Sequence, residues 1–140
     1  MAYTAKKLYC KKVITMWTYW WYSDPKGPDP WRSWYDSKDG AVRGRHDIVF
    51  DFLDSRPNWT EPYSKKLTDE DDLLEIILKT KVQHRLLGFY WPRRLNFTIL
   101  LPCNHKGTVY DPPNAIETAK SRIKELKGGK YWIRNCVRPK

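Results

Sequence analysis

Between Leu73 and Leu101 the chain reads "LLEIILK", "HRLLGFYW" and "LNFTILL", three short apolar runs separated by polar or Pro-Arg-Arg segments. Runs of this length bounded by turn signals predict consecutive antiparallel strands, a meander. In the third run Leu95, Phe97, Ile99 and Leu101 alternate with Asn96, Thr98 and Leu100, which predicts one fully apolar face. Gly88, inside the second run, predicts a bulge or a close approach of another backbone.

The flanking sequence supplies one more strand and the helices. "VITMWTYWWY" is β-branched and aromatic and predicts a first strand. It stops at "SDPKGPDP", where Pro25, Gly27, Pro28 and Pro30 preclude regular structure. "WRSWYDSKDGAVRGRHDIVFDFLDSRP" is helical in pattern, with Val42, Val49, Phe52 and Leu53 on one face and an end forced near Pro57. Gly40 and Gly44 leave two options there, a short helix before them or a late start. "NWTEPYSKKLTDEDD" is polar and reads as a loop, with room for a turn of helix. "PPNAIETAKSRIKELKGG" predicts a helix with Asn114 as N-cap and Glu117 in the capping-box relation. Its buried stripe is Ile116, Ala119, Ile123 and Leu126; Lys124 and Lys127 suit the negative end of the dipole, and Gly128-Gly129 ends it. "KYWIRN" adds a short terminal strand. The order strand, helices, three-strand meander, helix predicts an α+β fold, an antiparallel sheet with helices packed on one face.

All 140 residues fit one domain, with basic flanking segments at 1–12 and 131–140. Aromatic residues make up 15% of the chain, too many for a disordered one. No apolar run reaches the roughly 18 residues of a transmembrane helix. Val13 to Tyr22 is interrupted by Thr and Tyr and lacks a small-residue cleavage site, so a cytoplasmic protein is expected. Cys10, Cys103 and Cys136 are scattered and unpaired in pattern, which fits reduced thiols and gives no metal site. The net charge of +10 points to nucleic acid ahead of a membrane surface, because no long basic amphipathic helix accompanies it.

From Trp17 to Lys130 the order of these motifs resembles the RelE/HigB-type toxins of type II toxin–antitoxin systems, and more narrowly their phage-derived HigB-like branch. The resemblance is strongest from Glu75 to Leu126: a Glu-apolar strand, "HRLLGFY", then "HK" after the next strand, then the "A…A…R" helix. It implies a RelE-like sheet-and-helix domain whose basic face binds RNA, a ribosome-dependent mRNA endonuclease that inhibits translation. A separate antitoxin, commonly a small helix-turn-helix protein, would neutralise it, and the chemistry calls for no cofactor or metal. The same superfamily contains non-catalytic members, so a ParE-type gyrase inhibitor or an RNA-binding phage protein stands as the alternative.

Metal-independent cleavage needs a base for the 2′-OH proton, an acid for the 5′-oxygen and cations for the phosphorane charge. The resemblance assigns Arg85 to the scissile phosphate and places His84 where it contacts RNA. It places His105 and Lys106 at the mouth of the sheet as an acid–base and cation pair. Lys65, Lys66, Lys79, Lys81, Arg93 and Arg94 make up the RNA-binding charge, and Tyr110 stacks on a base, transfers a proton or simply packs. Neighbours on a strand point to opposite faces, so Arg85 and His84 do not share one phosphate. Ile77 stands where many relatives carry Arg, which leaves Lys79 or Lys81 to supply that charge.

Overall fold

The structure is a computed structural model that describes residues 16–24, 26–67, 72–130 and 133–135. The 1–12 flank, Val13 to Thr15 of the expected first strand, Cys10 and Cys136 lie outside them. The order is β1 (Thr18–Tyr22), α1 (Pro30–Asp36), α2 (Gly40–Asp54), β2 (Ser64–Lys66), β3 (Leu74–Lys79), β4 (Gln83–Tyr90), β5 (Asn96–Lys106), β6 (Val109–Asp111), α3 (Ala115–Lys127) and β7 (Ile133–Asn135). The chain is α+β, with a sheet ordered β2-β3-β4-β5-β1-β7 and β6 paired to β5. Among the described residues no helix is long and apolar enough to cross a membrane.

The meander is β3, β4 and β5, antiparallel throughout. The sheet as a whole is mixed rather than antiparallel, because β1 lies parallel to β5. Two helices and three strands separate β1 from β5 in sequence, ample length for the crossover that a parallel pair requires. The terminal strand forms as β7 on the outer edge of β1. The stretch expected as loop contains β2, a three-residue edge strand with two exposed lysines. Short charged strands of this kind resist pairing with another chain.

Gly40 and Gly44 delay nothing: a short helix forms before them, and the second helix starts at Gly40 itself instead of late. Asp29 caps α1 and Pro30 opens it, while Asp39 accepts from the Val42 N–H and caps α2. The buried face of α2 is Val42, His46, Val49, Phe50 and Leu53, whereas Phe52 is only half-buried. His46 completes that stripe at helical spacing, which a count of apolar residues alone misses.

Helices cover both faces of the sheet, which corrects the expectation of one. Trp31, Trp34, Val49, Phe50 and Leu53 of α1 and α2 pack with Tyr19, Trp21, Ile76, Leu78, Leu86, Phe97 and Ile99. On the other face Ala115, Ala119, Ile123 and Leu126 of α3 pack with Leu87, Phe89, Leu100, Leu101 and Cys103. The central runs are apolar at consecutive positions, so each strand needs cover on both sides. The expected alternation in β5 also breaks. Register shifts between Leu87 and Gly88, where Leu100 has no partner on β4, and this bulge turns Leu101 to the α3 face. Gly88 answers both expectations placed on it, since a Cβ there would collide with the Thr98 carbonyl and the Phe97 ring.

The α3 boundaries agree with the sequence, but the capping box does not form. Asn114 is the N-cap, yet its side chain makes no cap hydrogen bond. Its φ of −94° and ψ of 20° depart from the extended backbone that aims a capping side chain at the N3 amide. At the other end Gly129, at φ 97°, supplies the left-handed residue that closes the helix.

Candidate nucleic-acid interface

Directly paired residues on neighbouring strands share a face. On the α3 face the register therefore lays down three rungs: Lys65–Glu75–Leu87–Leu101, then Ile77–Arg85–Cys103, then Lys79–Gln83–His105–Tyr110. The last rung is at the end of the sheet where the β3–β4 and β5–β6 hairpins turn. Lys81 sits in the first hairpin and Lys106 is one residue beyond His105. The structure thus brings His105, Lys106, Lys79, Lys81 and Tyr110 together at one end, with Arg85 one rung behind. Lys79 and Lys81 are exposed and form no ion pair among the described residues. Lys106 reaches Asp111 at 3.4 Å, and the His105 ring lies 4.8 Å from that of Tyr110.

Arg85 does not present its guanidinium to solvent. The residue is 7% exposed, its Nε lies 3.6 Å from Oε1 of Glu75, and Glu75 is itself 5% exposed. Nη1 of Arg85 donates to the His84 carbonyl at 3.1 Å, while Nε itself makes no hydrogen bond. Glu75 Oε1 also accepts from the Tyr110 hydroxyl at 2.8 Å. Burial and that hydrogen bond push the Tyr110 phenol well above its ordinary value. Tyr110 is therefore a neutral hydrogen-bond donor to Glu75, not a base. Burial also raises the Cys103 thiol to about 12, so it is inert. Glu75 is the residue that matters most here and that no functional assignment named. Its signal was a single carboxylate inside an otherwise apolar strand.

His84 faces the opposite side, where the pleat requires it to be. It is buried, its ring sits edge-on to Trp34 at 6.4 Å, and it offers RNA no free face. Burial, with the Lys38 ammonium nearby, lowers its pKa against a hydrogen bond to Asn104 that raises it.

The remaining predicted residues lie at the other end of the sheet. Arg93 and Arg94 are exposed in the β4–β5 turn, about 23 Å from the His105 rung by the rise of β4. Lys66 pairs with Leu74 and so faces the α1–α2 side, next to a groove of about 990 Å³ lined by Trp59, Ser64, Lys65, Lys66, Leu74 and Tyr90. The predicted cations thus form two groups, and no single site holds them all. No protein-family model, no curated protein and no solved structure matches this chain.

Proposed function

We propose that this domain is a translation inhibitor of the RelE/HigB toxin type, a ribosome-dependent endonuclease that engages mRNA at the hairpin end of its sheet. The observation that supports this reading is the rung that carries half-buried His105 and, two strands away across Gln83, exposed Lys79, with Lys81 and Lys106 at the same end of the sheet. In the reaction the 2′-oxygen bonds to phosphorus as the P–O5′ bond breaks. His105 takes the 2′-OH proton, solvent water protonates the departing 5′-oxygen, and the lysines hold the phosphorane charge. Arg85 acts as a positioning residue. It holds Glu75, which holds the Tyr110 hydroxyl, and the Tyr110 ring packs His105. The protein works in the cytoplasm on the ribosome and is neutralised by a separate helix-turn-helix antitoxin.

The test is in vitro translation with mapping of mRNA 5′ ends. Wild-type protein stops synthesis and produces new ends at translated codons, and His105→Ala lowers their yield on the order of 100-fold. Translation that continues undiminished with wild-type protein overturns the proposal. The buried, occupied Arg85 guanidinium favours a second reading, a non-catalytic binder such as a ParE-type gyrase inhibitor or an RNA-binding phage protein. In that case no new ends form, and His105→Ala changes only salt-sensitive binding.

A further inference from the structure

We infer that the groove beside β2 is a second RNA site, which holds one unpaired nucleotide by stacking its base on Tyr90 and its phosphate on Lys66. The inference rests on the RNA-binding reading above and assigns a place to cations that the His105 rung leaves out.

The stacking platform is built, not incidental. Tyr90 is 45% exposed, although it closes an aromatic group with Trp17 at 5.5 Å, Trp59 at 5.6 Å and Phe97 at 5.8 Å. Trp59 is buried and fixed by its indole N–H to the Leu53 carbonyl at 3.0 Å, and Trp17 by its own to the Arg56 carbonyl at 2.7 Å. A partly exposed ring, braced by buried aromatic side chains, therefore lines a concave surface. Bases bind such platforms without regard to sequence, because every base has a π-face.

The charge around the platform suits a phosphodiester chain. Lys66, on the same face as Tyr90, forms no ion pair among the described residues, and Arg93 and Arg94 follow Tyr90 in the next turn. Two carboxylates also line the groove. Asp72 is countered by Lys127 at 3.3 Å, and exposed Glu61 provides an acceptor for the exocyclic amino group of a base. An apolar peptide would leave Lys66 unmatched, whereas a nucleotide uses ring and cation together.

The experiment measures fluorescence anisotropy of a labelled single-stranded, adenine-rich RNA oligonucleotide with the full chain at several salt concentrations. Tyr90→Ala weakens binding roughly ten-fold with the salt slope unchanged, while Tyr90→Phe stays within about two-fold because the ring remains. The variant Lys66→Ala reduces the salt slope by about one phosphate contact. Circular dichroism melts of each variant separate loss of binding from loss of fold, and Tyr90→Leu serves where Tyr90→Ala melts early. RNA binding that is indifferent to Tyr90→Ala and Tyr90→Leu in folded protein overturns the inference and leaves the proposed function standing. Tyr90-dependent RNA binding by a protein that does not inhibit translation supports the inference and overturns the proposed function. A polyglutamate peptide that displaces the RNA from the groove at equal concentration overturns it in favour of an acidic protein partner.

Discussion

One face of the sheet buries His46 and His84 among tryptophans; the other buries Glu75 and Arg85 beside Tyr110. On the first face the imidazoles are matched by hydrogen bonds rather than by a buried ion pair, and the carboxylate that meets His46, Asp47, is half-exposed to water. His46 is 0% exposed, and its Nε2 accepts from the Trp31 indole at 3.3 Å while Nδ1 meets Asp47 at 2.9 Å. That pattern fixes the tautomer, with the proton on Nδ1. Trp31, Tyr35 and Phe50 pack around the ring. On the second face opposite charges meet in a site that excludes water, with a contact of 3.6 Å and an Nε without a hydrogen bond. A neutral network adds stability bond by bond. An ion pair of that geometry adds little net stability, yet it is costly to leave half-made, because the surviving charge has no solvent. The α3 face is thus the one where a single substitution does most harm, and it lies directly behind the candidate catalytic rung.

Removing one member of the pair gives the largest expected effect. Arg85→Ala or Glu75→Ala should cost about 3–5 kcal/mol in urea unfolding. The double variant Glu75→Leu, Arg85→Met should recover most of that loss. Single variants costing under about 1 kcal/mol would mean that water reaches the pair, and the contrast between the faces would fail. The result also governs how activity data are read. Loss of cleavage in Arg85→Ala would report collapse behind the rung as readily as loss of a phosphate contact, so His105→Ala is the better test of chemistry.

The neutral face should yield less. His46→Phe keeps the ring volume but removes the acceptor of the Trp31 indole, for an expected loss of about 1–3 kcal/mol by the same unfolding measurement. A loss as large as that of Arg85→Ala would show that the histidine network, not the ion pair, is the fold's weak point.

What the sequence disclosed and what it hid follow from the same chemistry. The meander, both helical regions and the terminal strand were legible because period and turn residues are local. The second helical layer was not, because the consecutive apolar residues of "LNFTILL" read as alternation until the Leu100 bulge reverses the face. The edge strand β2 was hidden for a similar reason, since three polar residues hold their place only by pairing with β3. At the site, the gathering of His105, Lys106, Lys79 and Lys81 follows from hairpin register and could be foreseen. The fate of Arg85 could not. It depends on Glu75, ten residues away in sequence and on the neighbouring strand, and on Tyr110 arriving from β6.

A pH series probes the neutral face without altering the second. His84 has a folded pKa below its ordinary value, so the unfolded chain binds its proton more readily than the fold does. Its contribution to stability is therefore complete above about pH 6.5 and is lost as the pH falls from there through the folded pKa. The urea midpoint should drop between about pH 7.5 and pH 5, and His84→Gln should drop less over the same range. Equal slopes for the two proteins would assign the acid sensitivity to other groups.

The smallest effect on stability belongs to Lys106, and it sharpens the comparison most. The Lys106–Asp111 pair spans 3.4 Å between side chains that are 73% and 49% exposed. Water and salt screen a pair of this kind, so Lys106→Ala should leave the urea midpoint within about 0.5 kcal/mol of wild type. If the rung engages RNA, the same substitution should weaken RNA binding measurably and lower its salt slope by about one. The two readouts move independently because the ion pairs differ in surroundings more than in length: 3.4 Å at the surface and 3.6 Å in the interior. At the exposed rung a charge remains free to exchange Asp111 for a phosphate. One rung inward, Arg85 has no such freedom, and its charge supports the structure on which the exposed one acts.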